Sequence, residues 1–122
     1  MYQLSITREF IARHRLVGGD WGAENATHSH RYRADVVVEG RELDEHGFLV
    51  DIVALGKATD DVVAQLGEQI LNDLPAFDGL NPSLELFARI FHAMLAPQVD
   101  ERRLALTVRL WENDRDWAAY RR

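Results

Sequence analysis

The run from His28 to Glu39 constrains this chain most. His28, His30, Tyr32, Ala34, Val36 and Val38 fall on one parity, and Ser29, Arg31, Arg33, Asp35 and Glu39 fall on the other. Successive side chains of a strand point to opposite faces, so this spacing predicts a long strand with one buried face. A strand of that length needs neighbours, and the chain offers them. Leu4, Ile6, Phe10, Ala12 and His14 keep an apolar even parity, broken only by Arg8, and predict a first strand. Leu104, Leu106, Val108 and Leu110 predict a last one, and Glu112 continues its apolar parity. The polar stretch Gly40 to Gly47 reads as a turn, which makes Phe48 to Ile52 the expected antiparallel partner of the long strand.

Between these strands the period changes. Leu55, Ala58, Val62, Leu66 and Ile70 recur at three- and four-residue steps and predict an amphipathic helix from about Val53 to Leu71. Leu84, Phe87, Ala88, Phe91 and Leu95 predict a second helix, opened by Asn81-Pro82 as cap and first turn and stopped by Pro97. The expected fold class is therefore α+β: antiparallel sheet with two helices on one face, in one domain spanning 1–122.

Composition narrows function. Fourteen basic residues against twenty acidic ones give a formal charge of −6, which argues against a nucleic-acid partner. No apolar run reaches the roughly 20 residues of a membrane span, so no membrane is expected, and a cytoplasmic location is compatible. Cysteine is absent, which leaves any chemistry to His, carboxylates or hydroxyls.

Alternation puts His28 and His30 on one face, and His14 ends the first strand on the face of Phe10 and Ala12. If those strands pair antiparallel, three imidazoles converge and leave a fourth position open, as in a catalytic zinc (Zn2+) site. The plainer alternative is two surface histidines flanking a loop. His46, in a turn, and His92, inside a helix, read as solvent and core positions. Glu112, an acid on an apolar parity, must be solvated, paired or bound to a ligand with a guanidine-like edge. Ser83 and Glu85 read first as helix capping, and Lys57 as an exposed cation.

Five segments together carry a resemblance. Phe10-Ile11-Ala12-Arg13-His14-Arg15-Leu16, His28-Ser29-His30, Gly47-Phe48-Leu49-Val50-Asp51, Asn81-Pro82-Ser83-Leu84-Glu85 and Leu110-Trp111-Glu112 occur in that order. They resemble, nearly end to end, the motifs of the 6-pyruvoyl-tetrahydropterin and 6-carboxytetrahydropterin synthase family. The resemblance implies zinc on His14, His28 and His30, a pterin anchored by Glu112, and Ser83 and Glu85 near the same pocket. It also implies a four-stranded sheet with two helices, closed into an oligomeric barrel as a homotrimer or homohexamer with active sites between subunits.

Three residues at two places depart from the family pattern. Glu24 stands where most members carry a cysteine, four residues before the histidine pair. Gly67 and Glu68 stand where they carry an Asp-His dyad. A minority branch also has glutamate at the first position and cleaves the side chain of dihydroneopterin triphosphate to 6-hydroxymethyl-dihydropterin, a folate precursor. The expectation is accordingly a zinc-dependent pterin-side-chain lyase with Glu24 as its catalytic base. The alternatives are the ordinary synthase reaction and a pterin- or metal-binding homologue without turnover.

Overall fold

The computed structural model describes residues 1–122. Four strands and two helices follow in the order β1 (Tyr2–His14), β2 (His28–Gly40), α1 (Ile52–Leu66), α2 (Leu84–Leu95), β3 (Ala105–Trp111) and β4 (Trp117–Arg121). The strands form one sheet in the order β1-β2-β3-β4, every neighbouring pair antiparallel. The even positions of β1, β2 and β3 turn inward. Phe10, Tyr32, Val36, Leu106 and Leu110 meet Leu55, Leu66, Phe87, Phe91 and Leu95 of the helices in one buried cluster. The helices cover that face, α1 over β1 and α2 over β3 and β4. No helix is long and apolar enough to cross a membrane.

Arg8, the charged exception among the even positions of β1, has a local explanation. Its guanidinium reaches Asp60 on α1. It occupies the space left by Gly56, where an added Cβ would stand 2.9 Å from Arg8 Nη2. A glycine one turn before Asp60 lets a cation pass between helix and sheet.

Three expectations are corrected. Phe48 to Ile52 is not a strand. Only Leu49 of its apolar residues is buried, while Phe48 and Ile52 are 60% and 51% exposed. Asp51 instead caps α1, its carboxylate accepting from the N–H groups of Val53 and Ala54. The place beside β2 belongs to β3, paired from Glu39↔Ala105 to Arg33↔Trp111. The fourth strand is β4, a short segment whose two inward residues, Ala118 and Tyr120, carry too little alternation to announce it.

The first helix also stops at Leu66, before Ile70. Gly67 leaves helical dihedrals, and Glu68 has φ 61°, a left-handed conformation that a non-glycine residue adopts at a cost. Ile70 then bridges to Arg13 on β1. In α2 the cap is Ser83, one step beyond the expected pair, with its Oγ accepting from the Leu86 N–H at 3.2 Å.

Candidate metal and pterin site

Antiparallel register sets the centre of the site. His14 lies directly opposite His28, and His30 lies opposite Ala12, two residues back on β1. All three side chains share the inward parity at the end of the sheet, where His14 is buried. One nitrogen from each ring lies within 4.8 Å of the others.

Hydrogen bonds fix which nitrogens are available. His14 Nδ1 lies 3.0 Å from the Pro82 carbonyl, and His28 Nδ1 lies 2.8 Å from the Ala26 carbonyl. A carbonyl only accepts, so both Nδ1 atoms carry the proton and both Nε2 atoms present a lone pair. Those two Nε2 atoms face each other at 2.9 Å. Two lone pairs at that distance repel unless a cation or a proton lies between them. His30 Nε2 is buried with no hydrogen-bond partner at all. Three imidazoles with one nitrogen each converging on one spot are a donor set suited to a borderline metal ion.

The electrostatics agree. Burial pushes the His14 pKa below the ordinary histidine value, and the His28 and His30 charges push the same way. The Pro82 hydrogen bond opposes this, as does the negative charge of Glu24, the smallest of these effects. The lowered pKa keeps His14 in its neutral, ligating form. Glu24 is exposed within the 3-10 turn Gly22–Asn25, and its carbonyl accepts from the Leu16 N–H at 2.9 Å, tying the loop to the end of β1.

Beside His30, but lined by neither His14 nor His28, is a cavity of about 310 Å³ whose wall comes mainly from outward-facing residues, Glu9, Ser29, Arg31, Arg33 and Trp111, with Glu112 at its rim. That volume suits a single bicyclic ring system. Glu112, one residue past the end of β3, and His30 both line this cavity. Arg33 stacks over the Trp111 ring at 4.2 Å, and the Trp111 N–H donates to Asp35 at 2.8 Å, so one wall is held from the outer face of the sheet. Ser83 and Glu85 open α2 next to Pro82, whose carbonyl holds His14. The Ser83 hydroxyl is engaged as the cap, and Glu85 is exposed in the first turn.

Tyr32 is a part of the site that the sequence reading passed over. Its hydroxyl approaches His14 Nδ1 at 3.5 Å, and its ring packs edge-on to His30. Burial, reinforced by the Glu112 charge, raises its pKa well above the ordinary tyrosine value, so it stays a neutral phenol. The signal was present: Tyr32 follows His28 and His30 at the same two-residue step.

A family model described as 6-pyruvoyl tetrahydropterin synthase matches residues 3–122. The chain belongs to this family. Its enzymes act on pterins, and the fold is theirs as well. The 6-pyruvoyl tetrahydropterin synthase of Caenorhabditis elegans superposes with a TM-score of 0.89 at 21% identity, covering 99% of this chain and 95% of that one. A Plasmodium vivax 6-pyruvoyltetrahydropterin synthase, solved as a variant with its catalytic glutamate replaced by alanine, gives 0.82 at 16% identity, covering 99% and 97%. A protein of Archaeoglobus fulgidus, provisionally named a 6-carboxy-5,6,7,8-tetrahydropterin synthase, is 27% identical over 119 residues, 98% of this chain and 95% of its own length.

Proposed function

We propose that this member of the 6-pyruvoyl tetrahydropterin synthase family is a zinc-dependent lyase. It cleaves the side chain of dihydroneopterin, free or as its triphosphate, to 6-hydroxymethyl-dihydropterin. The observation that carries the reading is the convergence of the His14, His28 and His30 nitrogens, with the Glu24 turn hydrogen-bonded to Leu16, two residues past His14. The name of the Plasmodium vivax variant supports it, because it describes a glutamate as a catalytic residue of that enzyme.

His14, His28 and His30 hold the metal in this reading, and Zn2+ there supplies an acidifying charge for a substrate hydroxyl. Glu112 accepts two N–H bonds from the amine and amide edge of the pterin, fixing the ring in the cavity. Ser83 and Glu85, at the start of α2, border the bound ring. Glu24 takes the proton of the second side-chain hydroxyl. The bond between the first and second side-chain carbons then breaks, and the second carbon leaves as an aldehyde. The electron pair spreads over the first carbon and the ring C=N bond until that carbon is reprotonated. One base suffices for this retro-aldol cleavage, which fits a chain with Gly67 and Glu68 in place of an Asp-His relay.

The 6-carboxytetrahydropterin synthase reaction is the second reading, favoured by the provisional name of the Archaeoglobus relative. The test of the first is Glu24→Gln. A general base contributes about 10²–10⁴ in rate, so turnover should fall at least about 100-fold with metal content unchanged, whereas replacing His28 and His30 together by Ala should remove the metal. Wild-type turnover in Glu24→Gln would refute the assignment of the base.

A further inference from the structure

A depression of about 680 Å³ lies at the other end of the sheet from the histidines. It borders Gly40, the last residue of β2, whereas His28 is the first. At about 3.3 Å per residue the two sites are roughly 40 Å apart. The depression and the histidine cavity share no lining residue.

Its charge is opposite to that of the chain. Five arginines line it, from three separate places: Arg41 just after β2, Arg102 and Arg103 in the turn before β3, and Arg121 and Arg122 at the end of β4. Three glutamates line it too, in a chain whose formal charge is −6. One of these, Glu101, is already paired with Arg122 at 3.3 Å. Arg102 reaches Asp100 at 3.7 Å. Arg41, Arg103 and Arg121 have no carboxylate within ion-pair distance.

The floor is built to hold this arrangement. Gly40 is buried, and an added Cβ would stand 2.9 Å from both Leu49 and Leu104. The missing side chain lets those two leucines close beneath the arginines. Leu49 in turn offers its carbonyl to Arg103 Nη2 at 2.8 Å, which orients the guanidinium without neutralising it.

We infer that this depression binds a polyphosphate group, two or more linked phosphates, at a site separate from the metal centre. Guanidinium forks match phosphate oxygens in pairs, and like charges from three chain segments are held together at least cost when a multivalent anion lies among them.

Calorimetric titration of the metal-loaded protein with inorganic triphosphate at fixed ionic strength tests this. Saturable binding should appear, at least about 10-fold tighter than for inorganic phosphate. It should weaken at least about 10-fold in the double variant Arg41→Gln and Arg121→Gln, whose altered side chains pin no part of the floor. Replacing His28 and His30 by Ala should leave it in place. No saturable binding, or equal binding in a folded Arg41→Gln/Arg121→Gln protein, would overturn the assignment. So would loss of binding in the histidine variant, which would put the anion at the metal centre.

Discussion

His92 shows how a single buried residue ties stability to pH. It is fully buried in α2, and its Nε2–H donates to the Leu106 carbonyl at 3.2 Å, with Glu101 at 3.5 Å and the Tyr120 ring edge-on. Its Nδ1 is buried without a partner, so a proton added there would have nowhere to bond. Burial lowers its pKa from 6.5. Glu101 and the Leu106 hydrogen bond oppose the shift, and Arg122 adds to it. An unfolded His92 therefore takes up a proton at a higher pH than the folded one. Its contribution is complete above about pH 6.5 and is lost as the pH falls from there through the lower folded pKa. The melting temperature should drop more steeply from pH 7.5 to 5.5 in the wild type than in His92→Gln, which keeps an N–H for Leu106. Parallel curves would show that His92 does not titrate on unfolding. The contrast with His14 is instructive: both are buried, but His14 also has two other imidazoles facing its free nitrogen.

The two helices are placed by their caps as much as by their apolar faces. The Asp51 side chain satisfies two of the N–H groups that open α1, and it does so where the chain leaves the Gly40–Val50 excursion. Removing such a cap costs about 1 kcal/mol. Asp51→Ala should therefore lower stability in urea by about that amount with the fold retained, and an unchanged midpoint would mean the helix start is held by packing alone. This cap also explains a misread element. Phe48 to Ile52 looked like a strand because five apolar or turn-flanked residues followed a glycine, but the aspartate within them is a helix start. Period-two patterns were legible where a strand buries one full face, as in β1, β2 and β3. They failed for β4, which turns only Ala118 and Tyr120 inward, and for the 67–70 segment, where a left-handed Glu68 ended the helix that Ile70 had seemed to extend. The histidine cluster was legible because antiparallel register makes His14 and His28 neighbours from parity alone. The Pro82 and Ala26 carbonyls that set the tautomers were not legible, since backbone acceptors leave no mark in a sequence.

For the whole molecule, the sheet has two edges, β1 and β4. The Glu68–Ile70 segment covers the histidine end of β1 through the Glu68 N–H to Ile11 and the Ile70 bridge to Arg13. The remainder of β1 and the outer side of β4 keep unpaired backbone groups, which favour joining to another strand. We expect edge-to-edge pairing of copies, giving a trimer or hexamer by light scattering at micromolar concentration. A monomer would remove any pocket shared between subunits. The central claim, though, concerns which bond breaks, and product identification after incubating metal-loaded protein with dihydroneopterin or its triphosphate tests it most directly. The account predicts 6-hydroxymethyl-dihydropterin with a two-carbon aldehyde, phosphorylated or free according to the substrate. A pterin product that keeps the full side-chain carbon skeleton would contradict it.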